Sequence, residues 1–480
     1  MPKSTSSKIL GGMVWKFAER TSAQLVSFIL SIFLARLLLP SEFGAVALIL
    51  VFITIADVFV SSGFAASLIQ KKDANEVDFS SIFHCSFVVS LIVYIILYFF
   101  APLIADFFKI PELALYLRVL SVKIIISSYN SVQHAYVSRH MQFKKFFFST
   151  IIGTILSGIA GIFLAFKGAG AWALIIQYLL NSLINSIVLS FTVSWHPKFI
   201  FSWTSTKSLM SFGWKVLLTD LMGTFFDNLR SMLIGRFYTS TDLAFYNKGR
   251  LFPSIIGNNI DSTLTSVLFP AMSNVSNNVE KVKQYTRKSM QVSSYVMFSL
   301  MAILVAMAKP LVLILLTEKW VGCVIFLQIL CISQSASTIS RANIQAIKAL
   351  GRSDVTLKLE LVKKPIFILF LLLSIHLGVV AIAISMSLYS VVATALNMLP
   401  NKKLMSYSFF EQICDILPSI LLALLVGVAV YFVQLFSLNI YLTFVLQCIV
   451  SIALFFFISF VFKFKSLFIL INAIKGLINR

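Results

Sequence analysis

Residues 34–46 read LARLLLPSEFGAV, and residues 233–245 read LIGRFYTSTDLAF. Each is a short polar break between two long apolar runs. Arg36 and Glu42 have counterparts in Arg236 and Asp242, and Phe43 and Gly44 fall opposite Leu243 and Ala244. Trp15-Lys16 likewise answers Trp214-Lys215, one residue out of step. The chain therefore repeats itself, and the first two apolar runs have copies roughly midway along it.

The runs have the length that a bilayer demands. About 20 apolar residues in a helix cross roughly 30 Å of hydrocarbon. Across 480 residues, 59% are hydrophobic and only 12% charged, with a mean hydropathy of +0.94. Soluble domains carry roughly twice that charged fraction. The chain reads as an all-α polytopic membrane protein with fourteen spans, at 14–35, 43–68, 81–104, 114–137, 147–166, 171–193, 209–235, 243–269, 290–316, 321–347, 359–376, 378–398, 414–435 and 440–462. Continuous rather than alternating apolar runs exclude a spanning β-barrel. Lys3 and Lys8 precede the first span without a cleavage pattern, so that span is expected to be retained.

The net charge of +21 would suit nucleic acid, but its placement argues for membrane topology instead. Lys and Arg gather at the N-terminus, in the even-numbered loops and in the C-terminal tail, which marks those regions and both termini as cytoplasmic. The remainder of the excess suits anionic lipid. The five cysteines form no CxxC or Cys/His spacing, so neither a disulfide framework nor a metal site is expected.

Six spans is an even number, so a second block of six runs in the same direction as the first. Parallel repeats of this kind are a transporter device. The expected organisation is an N-lobe at 1–195, a cytoplasmic linker at 196–208 with Pro197 as a hinge, a C-lobe at 209–400, and two peripheral spans with a basic tail at 401–480.

Polar residues inside the spans are costly and usually face a bundle interior or a wet cavity. Here they fall at steps of three and four, on single helical faces. The first span offers Lys16, Arg20, Gln24, Ser27 and Ser31; the second offers Thr54, Asp57 and Ser61; the seventh offers Asp220, Thr224, Asp227 and Ser231. The eighth offers Asn247, Arg250, Ser254, Asn258, Asp261 and Thr265. The fourth and tenth, again six apart, carry Lys123, Asn130 and His134, and Gln334, Ser337, Arg341 and Gln345. Basic groups outnumber acidic ones on these stripes, which favours an anionic passenger and, through arginine, phosphate. The plainer alternatives are that Lys16 and Arg20 snorkel to headgroups, that Glu19 neutralises Arg20 and Asp227 neutralises Arg230, and that His134 packs.

No Walker loop, GxSxG or HExxH occurs, so no enzyme is expected and transport must draw on a gradient. The rivals are an ion-coupled exporter of small molecules, which would want an acidic cavity, and a membrane-embedded polysaccharide polymerase or ligase, which would want a large external loop.

Residues 34–73, LARLLLPSEFGAVALILVFITIADVFVSSGFAASLIQKKD, and 233–275, LIGRFYTSTDLAFYNKGRLFPSIIGNNIDSTLTSVLFPAMSNV, resemble polysaccharide flippases of the Wzx type in the MOP superfamily. The resemblance implies transport of undecaprenyl-pyrophosphate-linked oligosaccharide across the bacterial cytoplasmic membrane, for O-antigen, capsule or exopolysaccharide. It implies two six-helix lobes around a cationic cavity, H⁺ or Na⁺ coupling, and a polymerase and chain-length regulator as partners. Matched by helix and face, Arg20, Lys215, Arg230, Arg250 and Arg341 become the candidates for substrate contact. Asp57, Asp220, Asp227 and Asp261 become those for ion coupling.

Overall fold

A computed structural model describes the backbone of residues 5–478, and the side chains from Gly12 onward apart from those of 13, 263, 267, 473, 474 and 476–478. The side chains of Lys3 and Lys8 thus lie outside the described residues. Among the described residues the chain is helical, with no strand. The helices are α1 (Thr5–Leu37), α2 (Pro40–Gln70), α3 (Glu76–Phe108), α4 (Leu113–Leu120), α5 (Val122–Arg139), α6 (Phe143–Phe166), α7 (Ala171–Thr192), α8 (Trp203–Phe237) and α9 (Ser240–Ser273). They continue as α10 (Val279–Ala306), α11 (Ala308–Leu315), α12 (Cys323–Ala349), α13 (Ser353–Ser374), α14 (Val379–Met398), α15 (Asn401–Met405), α16 (Phe409–Phe432), α17 (Ile440–Val461) and α18 (Lys465–Ile478).

Helix answers the demand that a chain in hydrocarbon satisfy its own backbone groups. Eleven stretches of described helix are long and apolar enough to cross a bilayer. The expected spans at 209–235, 243–269 and 359–376 fall outside that set because α8, α9 and α13 carry charges along their length, among them Asp220, Asp227, Asp261 and Glu360. Two expected spans are broken. The one at 114–137 is α4 and α5 meeting at Ser121, and the one at 290–316 is α10 and α11 meeting at Met307. The basic tail contains the fourteen-residue α18.

The repeated break at 34–46 and 233–245 is a helix-capping device. At the start of α2, Pro40 sits in the first turn and the Glu42 carboxylate accepts the Leu39 N–H at 2.7 Å. At the start of α9, the Asp242 carboxylate accepts the Thr239 N–H at 3.1 Å and its hydroxyl at 2.6 Å, while Thr239 Oγ1 accepts the Asp242 N–H at 3.1 Å. An acid three residues into a helix satisfies donors that the first turn leaves orphaned.

The chain forms two compact units, one reaching to Ala244 and the other starting at Phe245. In the first, α2 packs on α5 and α8, α1 on α6, and α6 on α7. Phe64, Leu68, Ile82, Val132, Leu189 and Trp195 share its core. In the second, α10 packs on α16 and α12, and α12 on α14, around Met290, Ile339, Met398, Tyr407 and Ile416. Helix α8 belongs to the first unit by its packing on α2 and α3, although the sequence repeat makes it the first helix of the second copy.

The connection before α8 is strapped down. Trp195 is buried against Phe79, the Lys198 N–H donates to Ser80 Oγ at 3.2 Å, and the Ser202 N–H donates to Ser81 Oγ at 2.9 Å. Buried Asp78 accepts the Asn75 N–H at 3.0 Å and the Ser205 hydroxyl, and pairs with Lys71 at 2.8 Å. Residues 193–205 are therefore tied to the N-terminus of α3.

Candidate functional site

Among the nine candidate residues, Asp261 and Arg341 meet in direct contact. Asp261 on α9 is buried, and its Oδ2 lies 2.6 Å from Nε of Arg341 on α12. Thr338, one turn earlier on α12, donates its hydroxyl to Asp261 Oδ1 at 3.0 Å. The Arg341 side chain is half exposed (50%), whereas that of Asp261 is sealed (2%).

This pair sits in a ladder between α9 and α12. One turn toward the start of α9, Gly257 has no side chain, and a Cβ there would fall 1.8 Å from Gln334 Nε2. One turn the other way, Gln345 Nε2 donates to Thr265 Oγ1 at 3.4 Å. The steps 257, 261, 265 on α9 and 334, 338, 341, 345 on α12 follow the helical period, so the two polar stripes meet face to face.

The opposite side of α12 is apolar. Ile332, Ser335, Ala336 and Ile339 face a cavity of about 900 Å³ enclosed with α10, α14 and α16. Phe298, Met301, Ile416 and Leu424 complete the wall. That volume is at the upper end of ordinary ligand pockets. Helix α12 thus carries a half-exposed guanidinium on one face and a long greasy cavity on the other.

Arg20 on α1, Lys215, Asp220 and Asp227 on α8, and Arg250 on α9 are exposed, and Arg230 is half-buried. Asp57 on α2 is half-buried, with a buried Oδ1 that has no hydrogen-bond partner among the described residues. Glu19 pairs with Lys16 at 2.6 Å and accepts the Thr150 hydroxyl at 3.4 Å; the expected neutraliser of Arg20 is committed to Lys16. His134 stacks on Phe146 with ring centroids 4.5 Å apart, which is packing.

Sequence reasoning missed two polar centres. Asp415 is a buried hub that accepts the Tyr407 hydroxyl at 2.7 Å and a Gln291 Nε2 N–H at 2.8 Å, and pairs with Arg287 at 2.6 Å. Lys363 on α13 is buried and pairs with Glu360 at 2.5 Å. The signal for the second was a charged pair at i and i+3 inside an apolar run. The first had no local signal, since Gln291 and Arg287 lie far off in sequence on α10 and Tyr407 lies across a turn. Among the described residues no group of three or more His, Cys, Asp and Glu is placed to hold a metal ion.

Comparison with known proteins gives the frame. A family model described as polysaccharide biosynthesis protein matches residues 33–325. The succinoglycan biosynthesis transport protein ExoT of Rhizobium meliloti is 25% identical, covering 74% of this chain and 72% of its own. The lipopolysaccharide biosynthesis protein WzxC of Escherichia coli is 22% identical, covering 82% of this chain and 81% of its own. Among solved structures, a lipid II flippase MurJ in an inward closed conformation superposes with a TM-score of 0.76 at 15% identity, covering 94% of this chain and 98% of that one. An inward-facing multidrug MATE transporter of the MOP superfamily gives 0.62 at 17% identity, covering 82% and 98%. These likenesses establish a MOP-type fold.

Proposed function

The chain belongs to the polysaccharide biosynthesis protein family, and from that premise we propose that it is a flippase that moves lipid-linked oligosaccharide units from the cytoplasmic to the outer leaflet of a bacterial cytoplasmic membrane. The observation that carries this reading is the two-faced α12. An amphiphile with an anionic linkage and a long hydrocarbon tail asks for a cation and an apolar trough side by side. Arg341 supplies the one and the cavity lined by Ile332, Ala336 and Ile339 the other. A small soluble drug would have no use for the second.

In this reading the passenger is an undecaprenyl-pyrophosphate-linked repeat unit, and the protein is a transporter rather than an enzyme. Arg20, Lys215, Arg230, Arg250 and Arg341 give the path its positive lining, which suits pyrophosphate and acidic sugars. Asp57, Asp220 and Asp227 are the carboxylates for H⁺ or Na⁺ coupling, and Asp57, with a buried unpartnered oxygen, is the first to test. Charged α8, α9 and α13 complete fourteen spans, with both termini cytoplasmic. Translocation proceeds by alternating access, and a polymerase and chain-length regulator receive the product.

A deletion strain tests the reading. Surface polysaccharide should disappear and lipid-linked units should collect in the inner leaflet, with both restored by the wild-type gene. Unchanged surface polysaccharide with no build-up of lipid-linked units would refute it.

A further inference from the structure

We infer that Asp261 is a positioning residue that holds Arg341 as the anion-receiving group of the second unit; the inference rests on the flippase reading above. The argument begins from cost. A carboxylate sealed from solvent is expensive, and it is tolerated in a membrane protein only when paired and hydrogen-bonded. Asp261 meets both conditions through Arg341 at 2.6 Å and Thr338 at 3.0 Å. Yet Arg341 gains little shelter from the pair, since half of its side chain stays exposed. One member is sealed and the other is presented.

The internal repeat shows that packing alone does not need the charges. In the register that sets Arg36 against Arg236 and Glu42 against Asp242, Asp261 stands where the first copy has Ser61. In that copy Ser131 on α5 donates its hydroxyl to the Ser61 carbonyl at 3.3 Å. In the second copy Thr338 on α12 donates to Asp261. The two contacts join corresponding positions, one through a backbone carbonyl and the other through a carboxylate, and they set Ser131 opposite Thr338. Three residues on, Arg341 then stands where the first copy has His134, whose ring is spent in stacking on Phe146. The same helix–helix contact is thus closed by a serine hydroxyl on a backbone carbonyl in one unit, and by a threonine hydroxyl and an arginine on a carboxylate in the other.

Ion-paired with a fixed carboxylate on its Nε side, the guanidinium is tethered, and its terminal N–H groups form a fork suited to phosphate oxygens. Asp261 fixes its orientation from below, much as outer partners orient ligating side chains elsewhere. Half-buried Gln334 over Gly257 and Gln345 on Thr265 keep the two helices in register around it.

The test is binding by the purified full-length protein in nanodiscs, with undecaprenyl pyrophosphate as the probe and undecaprenol as the uncharged control. Asp261→Ser copies the arrangement of the first unit, and Asp261→Asn is a second, isosteric route should the serine variant fold poorly. Each, like Arg341→Gln, should weaken pyrophosphate binding by about tenfold, the worth of one charge-assisted contact, and leave undecaprenol binding unchanged. Asp261→Glu should recover most of the loss. The decisive result is that Asp261→Ser combined with Arg341→Gln binds no worse than Arg341→Gln alone, because a positioning residue acts through the group it positions. Additive losses, or wild-type affinity in Asp261→Ser and Asp261→Asn, would overturn the positioning role while wild-type binding of pyrophosphate upholds the flippase reading. A wild-type protein that does not prefer pyrophosphate to alcohol would overturn both.

Discussion

Gly44 lies so close to Ser240 that a Cβ on the glycine would fall 1.7 Å from the serine carbonyl oxygen. The two residues belong to the two copies of the repeated break, so the start of α2 touches the turn that opens α9. Neither copy is only a register mark, because within the first unit the breaks lie one against the other. The contact is with backbone, so no side chain can swing aside to make room.

Gly44→Ala is therefore expected to cost about 1–3 kcal/mol, the usual range for forcing atoms into a filled site. Thermal unfolding of the detergent-purified protein measures it. An unchanged midpoint would mean that the turn at Ser240 can yield.

The Asp415 hub makes a second prediction. Arg287→Ala strips the charge partner from a buried carboxylate, and Asp415→Ala strips the acceptor from Tyr407 and Gln291. The Arg287 side chain is about half exposed, so solvent softens its loss, and each change should cost about 1–3 kcal/mol. The double variant should lose less than the sum by about 0.5–3 kcal/mol if the pair is energetically linked. Strict additivity in a melting cycle would show that it is not.

Much of this architecture was legible in the residues, and what was hidden had a physical cause. Apolar run length located the helices, because a bilayer imposes that length on any sequence. The echo of Arg36 and Glu42 in Arg236 and Asp242 located the repeat, since capping chemistry is local and leaves local marks. The stripes on α9 and α12 were visible as steps of three and four. That Asp261 would meet Arg341 was not, because the two are 80 positions apart and periodicity says which face a residue takes, never which helix it meets. Asp415 escaped for the same reason. Proline and polar residues mark the segment around Pro197 as a loop, but nothing local announces that Ser80 and Ser81 accept its N–H groups.

The strap supplies a third prediction. Trp195 is buried among Phe79, Val132 and Leu189, and truncating a buried tryptophan costs about 3–5 kcal/mol. Trp195→Ala should lower the melting point strongly, whereas Tyr136→Phe, which loses only a 3.2 Å hydroxyl contact to Ser194, should change it little. Limited proteolysis checks the locality of the effect. New cleavage should appear between residues 193 and 205, and cleavage spread over the whole chain would point instead to global unfolding.

The apolar cavity supplies the last. Ile332 lines it from α12 and is itself exposed, so replacing it disturbs no sealed packing. Ile332→Trp adds a rigid indole to the wall and reduces the volume open to a hydrocarbon chain, while Ile332→Ala enlarges it. The tryptophan variant should express normally and melt within about 1 kcal/mol of wild type, as substitutions outside packed cores do. It should nevertheless restore little surface polysaccharide to the deletion strain, and lipid-linked units should accumulate behind it. The alanine variant should restore polysaccharide to near the wild-type amount. If Ile332→Trp complements fully at equal expression, the tail does not use this cavity, and α12 serves the passenger through Arg341 alone. If both variants fail, the position matters for the movement of α12 itself, and the cavity's volume is not what the change was reading.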